Sequence, residues 1–255
     1  FSPTDRIMRV GKPFCREVPE YYECINKKFF GGEFGAKRRI FGYMGTPALE
    51  LSAPKSFTQK EINEFIQVLI KMEKRDWTFP YGFNRLLQRD PPLYSSKFYD
   101  VAGVKYLVSQ DPIPTNDHIK LVHSSHQFYL YRYLSGWPYY YLADRVETIK
   151  TYGDMYLAEK GTAYIWENES GTIPSVEQNK HDKMINLRNF QFDRMEFEYD
   201  SEEPEFLVVS DAWHPNWSAI VNGSEATIVK ANGVFKGISL PPGKGTVELV
   251  FNNSP

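Results

Sequence analysis

The run Trp217-Ser218-Ala219-Ile220-Val221-Asn222-Gly223-Ser224-Glu225-Ala226 decides the fold of this 255-residue chain. A β-rich stretch ends in Asn-Gly, the dipeptide that accepts positive φ at the centre of a tight hairpin, and a second extended stretch follows. Working outward, Phe206–Ser210, Trp217–Val221 and Ala226–Val229 read as three short antiparallel strands in succession. Asn232-Gly233 marks another hairpin, and Val234–Leu240 and Thr246–Phe251 supply two more strands. The joint between those two is Pro241-Pro242-Gly243, where proline fixes φ and glycine permits the reversal. The expectation is a β-meander or half of a sandwich.

The same residues carry a family resemblance. Trp213-His214-Pro215-Asn216-Trp217-Ser218-Ala219, Val221-Asn222-Gly223, Asn232 ahead of Val234-Phe235, and Leu240-Pro241-Pro242-Gly243 resemble the C-terminal soluble segment of the YfhO-type bacterial polytopic membrane proteins. Asn216 stands where that family has Gly, and Asn222 where it has Asp; both residues tolerate left-handed backbone. The spacing from Phe251 to Pro255 departs from the family's closing Tyr-x-Pro. A second echo is Tyr99-Asp100-Val101-Ala102-Gly103-Val104-Lys105-Tyr106-Leu107-Val108, similar to the family's Leu-Gly-Val-Lys-Tyr-Val segment.

The resemblance implies an extracytoplasmic domain of a membrane glycosyltransferase-like protein, at the outer face of the bacterial cytoplasmic membrane. Members of that group look like users of lipid-linked sugars, with the catalytic acid in an early loop between membrane helices, a region this sequence lacks. The chain is therefore expected to be non-catalytic. Its implied partners are a glycan or lipid-linked sugar acceptor, and the membrane through segments outside this sequence. It starts at Phe1 rather than Met and stops at Asn253-Ser254-Pro255 directly after a strand, as expected of a piece bounded by a membrane helix.

Lys and Arg number 30 against 32 Asp and Glu, so no strong field favours nucleic acid as a partner. No segment approaches the roughly 20 consecutive apolar residues needed to cross a bilayer as a helix. Cys15 and Cys24 lie close together in a Tyr-, Pro- and Glu-rich stretch; a disulfide and two free thiols are both open, and neither makes a zinc site without nearby histidines.

Further upstream, Arg6–Val10 reads as a short strand and Phe29–Gly35 as a glycine-rich loop without nucleotide-binding spacing. Thr58 and Glu61 fit a capping box with Phe57 stapled onto Ile62, and Ile62, Phe65, Ile66, Leu69 and Ile70 then recur at helical spacing. Short helices are expected over Phe83–Gln88 and over Ser96–Ala102, the latter ended by Gly103 and followed by a buried strand at Val104–Ser109. Strands are expected at Ile119–His123, Phe128–Tyr133, Tyr139–Leu142 and Val146–Tyr152, a helical turn at Asp154–Glu159, and a polar loop at Glu167–Asn179. The alternation from Ile185 to Tyr199 opens the terminal β unit. The expected fold class is α+β: a mixed α/β region over 1–159, a linker or exposed loop over 160–183, and an antiparallel sandwich- or jelly-roll-like unit over 184–255.

Chemistry is sparse. His123 and His126 have i, i+3 spacing but no obvious third ligand, so surface histidines are the better reading and no metal site is assigned. No Gly-x-Ser-x-Gly elbow is present, and with 32 acidic residues no catalytic pair can be chosen from linear sequence. No catalytic residue and no cofactor is assigned. The candidate ligand-binding residues are Trp213, His214 and Trp217, two aromatic planes for stacking on a sugar ring and an imidazole for hydrogen bonding. The competing reading is that the tryptophans plug the end of the sandwich. A secreted carbohydrate-active enzyme with an accessory sandwich, and a purely structural domain, are the alternatives to a recognition role.

Overall fold

The structure, a computed structural model, describes residues 5–10, 40–41, 57–72, 97–109, 111–125, 128–172, 182–191 and 193–252. Strands dominate, antiparallel pairing is the rule, and helices are few. The chain divides into two compact units, Phe1–Gln59 with Glu73–Trp137, and Lys60–Met72 with Pro138–Pro255. Cys15, Cys24, His126, the glycine-rich loop and the expected helix at Phe83–Gln88 lie outside the described residues.

In the first unit, β1 (Arg6–Val10), β2 (Ile40–Phe41), β3 (Val104–Ser109), β4 (Ile119–Ser124) and β5 (Tyr129–Tyr133) form a sheet in the order β2-β1-β3-β5-β4. β1 runs parallel to β2 and β3, whereas β3, β5 and β4 pair antiparallel. A short helix, Lys97–Val101, feeds β3 and buries Phe98, Tyr99 and Val101. It stops where the sequence says it should, at Gly103 with φ of 69°, whose N–H bonds back to the Asp100 carbonyl at 3.0 Å. Arg6 is buried and donates to the Ala102 carbonyl, and Asp5 pairs with Lys105 at 2.9 Å, which ties β1 to the start of β3. Gly136 is required by close approach, since a Cβ there would stand 2.0 Å from the Val104 carbonyl oxygen.

The second unit contains β6 (Tyr140–Leu142), β7 (Arg145–Ile149), β8 (Thr162–Trp166), β9 (Lys183–Phe190), β10 (Arg194–Ser201), β11 (Glu205–Ala212), β12 (Trp217–Val221), β13 (Ser224–Ala226), β14 (Val229–Ala231), β15 (Phe235–Leu240) and β16 (Gly243–Phe251). One sheet has the order β6-β11-β15-β14-β8-β7 and the other β13-β12-β16-β10-β9. Leu207, Val209, Ile238 and Leu240 of the first sheet join Met195, Phe197, Tyr199, Ala219, Val221, Val247 and Leu249 of the second in one buried cluster. The two sheets therefore enclose a shared core. On β10 the residues between the buried ones are Glu196, Glu198 and Asp200, which pair with Arg194 at 2.7 Å, Arg188 and Lys244 at 3.2 Å respectively, so one face of that sheet is polar.

β11 alternates in no such way: all eight of its residues are buried. At the β14–β15 side of this sheet lies the helix α1 (Phe57–Met72), whose residues from Lys60 onward belong to this unit. Phe65, Ile66 and Leu69 are buried, as the helical spacing anticipates, each contributing about 1.5–3 kcal/mol by area. The Phe65 ring meets Phe235 at 6.4 Å and Tyr152 at 5.4 Å between centroids. Gly233 makes room for it, since a Cβ there would stand 2.8 Å from that ring. The helix begins at Phe57, so Thr58 stands inside it rather than at its cap, and the Glu61 carboxylate goes to Lys230 Nζ at 2.8 Å.

The strands of the terminal segment do not form a meander. Strands β11, β14 and β15 lie in one sheet and β12, β13 and β16 in the other. The expected strand Ala226–Val229 is divided, Ala226 ending β13 and Val229 starting β14, because the chain changes sheets there. Both hairpin dipeptides do adopt left-handed backbone, with φ of 52° and 80° at Asn222 and Gly223 and 49° and 87° at Asn232 and Gly233. Asn232 is also a buried brace: its side chain accepts from the Tyr164 N–H at 3.0 Å and donates to the Tyr141 hydroxyl at 2.8 Å.

Candidate functional site

Trp213, His214 and Trp217 are brought together at the connection from β11 to β12. Between Val209 and Ala212 the pairing of β11 with β15 slips, and the irregularity carries Asp211 onto Lys236. The chain then turns: Trp213 N–H bonds to the Val234 carbonyl at 2.8 Å, and Trp217 N–H to the His214 carbonyl at 3.0 Å. Pro215 occupies the second position of that four-residue turn, where its fixed φ is favoured.

Asn216 does not use left-handed backbone, since Asn222 and Asn232 are the non-glycine residues with positive φ among those described. It uses its polar groups. Its N–H donates to His214 Nδ1 at 3.1 Å, its side-chain amide donates to the Asn252 carbonyl at 3.1 Å, and its carbonyl accepts from Asn252 N–H at 2.9 Å. The loop is thereby clipped to the end of β16.

Each indole has a lysine over one face. Lys236 Nζ sits 4.1 Å from the Trp217 ring centroid and 2.8 Å from the Asp211 carboxylate. Lys230 Nζ sits 4.7 Å from the Trp213 ring and is paired with Glu61, while its backbone N–H donates to Glu169 at 2.8 Å. The Trp213 N–H is committed to the Ile228 carbonyl at 3.2 Å. Phe251 packs against both His214 and Trp217, with centroids 5.3 Å away in each case.

His214 Nδ1 accepts a backbone N–H, so the proton of the neutral ring resides on Nε2. Burial, and after it the charge of Lys236, hold His214 below the ordinary histidine value. The ring is thus a neutral donor at physiological pH. The Asp211 carboxylate is paired with Lys236 and the Glu61 carboxylate with Lys230, which leaves neither suited to acid–base work. What the arrangement offers is a half-buried cluster of two indoles and an imidazole.

Sequence reasoning named the three ring residues and missed their supports, Asp211, Lys230, Lys236 and Phe251. Lys236 in Val234–Leu240 reads as the solvent-facing position of a strand, and only Asp211 beside an apolar run hinted at a buried partner. His123 lies exposed on β4 with its ring 5.7 Å from Phe128. Among the described residues no three His, Cys, Asp or Glu side chains are grouped to hold a metal, and no helix is long and apolar enough to cross a membrane. No protein-family model, curated protein or solved structure matches this chain.

Proposed function

We propose that this chain is a non-catalytic extracytoplasmic domain of a YfhO-type, glycosyltransferase-like membrane protein, and that its Trp213–Trp217 loop recognises a saccharide ring of a glycan or lipid-linked sugar acceptor. The reading joins a mixed α/β N-terminal region to the terminal two-sheet unit as an α+β whole. Its family part rests on the motifs from Trp213 to Gly243. Its binding part rests on one observation: Trp213, His214 and Trp217 share a five-residue loop that is locked before any ligand arrives by bonds to Val234 and Asn252. Preorganised aromatic groups bind without the entropic cost of ordering a loop. His214 Nε2–H supplies the polar contact that orients a ring.

A second reading, that the loop is a structural plug or docking element, is favoured by the lysines, which already occupy one face of each indole. A glycan array followed by titration calorimetry separates the two. The recognition reading expects binding by the folded chain that drops at least about tenfold, some 1.4 kcal/mol, in Trp213→Phe and in His214→Gln, each titrated well below its own melting temperature. No glycan bound by a folded chain would overturn it in favour of docking.

A further inference from the structure

The turn that carries Trp213 and Trp217 depends on a hydrogen bond available only to a neutral imidazole. His214 Nδ1 is the acceptor for the Asn216 N–H at 3.1 Å. A proton added to Nδ1 from solvent would turn that acceptor into a second donor, so two N–H groups would face each other. The charged group facing the ring is Lys236 of β15, whose ammonium is fully buried. Asp211 of β11 lies 2.8 Å from that ammonium. The elements β12 and β16 present Trp217 and Phe251, which carry no charge. An imidazolium at 214 therefore meets the like charge of Lys236.

We propose that His214 is a pH latch: its neutral ring holds the Trp213–Trp217 turn closed, and protonation at Nδ1 releases that turn together with the end of β16 clipped to it through Asn216 and Asn252. The latch stands whether or not the loop binds sugar. Its sign follows from proton linkage. The open loop leaves His214 near its ordinary value of about 6.5, whereas the closed loop lowers it, so the open form takes up more protons. Closure is complete above pH about 6.5 and is lost as the pH falls below it.

The test uses the full 255-residue chain with ¹⁵N labelling. The imidazole ¹⁵N shifts of His214, and hydrogen-exchange protection factors for the Asn216 and Asn252 amides, are followed from pH 8 to 5. The control is His214→Asn, whose side-chain oxygen can accept the N–H two residues on in an Asx turn and does not titrate in this range. The expected result is an Nε2–H tautomer at pH 8, a His214 midpoint below 6.5, and protection at Asn216 and Asn252 that drops by up to about tenfold per pH unit in the native chain and stays level in His214→Asn. An Nδ1–H tautomer, a midpoint at or above 6.5, or pH-independent protection would each overturn the latch without recourse to the variant. An equal drop in His214→Asn would overturn it too, assigning the opening to carboxylates.

Discussion

Lys236 and Asp211 form an ion pair 2.8 Å long in which the side chains are 0% and 2% exposed. Water contributes almost nothing to either charge, so each leans on the other and the ammonium also on the Trp217 face. Removing one partner should therefore cost far more than removing both. Lys236→Met takes the ammonium away from the buried Asp211 carboxylate and is expected to lose about 3–5 kcal/mol, whereas Lys236→Met combined with Asp211→Leu should return to within about 1 kcal/mol of the native chain or exceed it. Urea unfolding midpoints check this. A double variant no more stable than the single one would show that the pair is needed for more than mutual neutralisation.

Two glycines of the second unit should fail for different reasons. At Gly237 of β15 a Cβ would stand 2.4 Å from Phe206 Cζ and 3.0 Å from Ala231 Cβ. Gly237→Ala is expected to cost about 1–3 kcal/mol by overpacking. Gly223 has open space around it but a φ of 80°, so Gly223→Ala costs about 1–2 kcal/mol through backbone alone. Shortening the obstructing ring distinguishes the causes: Phe206→Leu should recover part of the loss at Gly237 and none at Gly223. Thermal melts of the single and paired variants decide it, and strict additivity at Gly237 would contradict the packing explanation.

Alkaline pH should weaken the second unit. Burial pushes the Tyr141 hydroxyl well above its ordinary value of 10, partly opposed by the Asn232 hydrogen bond and reinforced by the charges of Tyr164 and Asp144. Tyr152 is raised as well, by burial first and then by Glu61 and Glu64. Above pH 10 the unfolded chain has released these protons while the folded one retains them, so stability is full below pH about 10 and falls as the pH rises beyond it. The expected observation is a denaturation midpoint that declines above pH 10, less steeply in Tyr152→Phe. A native chain and a variant with parallel profiles would exclude Tyr152 as a contributor.

Local chemistry was legible and partnership was not. Asn222-Gly223 announced its hairpin because positive φ is a property of the two residues themselves, and Phe65, Ile66 and Leu69 announced a helix because their spacing is its period. Gly103 announced the end of the helix feeding β3 for the same reason. Which strands share a sheet depends on residues far away, so Ala226 and Val229 looked like one strand although they belong to two. Thr162–Trp166 went unnoticed as a strand: five residues between turns, four of them buried on both faces, show no alternation to read. At the candidate site the rings were chosen by residue type. Lys236 and Asp211 escaped because lysine in a strand ordinarily means solvent, and burial reverses that meaning only when a partner is supplied by a neighbouring strand.

The helix that packs on Phe235 and Gly233 is encoded ahead of every strand of the second unit. Glu61 and Lys230 are 169 residues apart along the chain. At a synthesis rate of about 5–20 residues per second, the helix waits roughly ten to thirty seconds before its clasp exists. During that interval its apolar stripe has no sheet to lie on, and the sheet, once made, must recruit a segment that emerged long before. Such contacts between distant parts of the chain close late and slow folding, because the entropy of the intervening loop is lost before they reward it. A fragment starting at Pro138 would carry all the strands of the second unit and still lack this helix, leaving the ring of Phe235 on that side to water or to another chain.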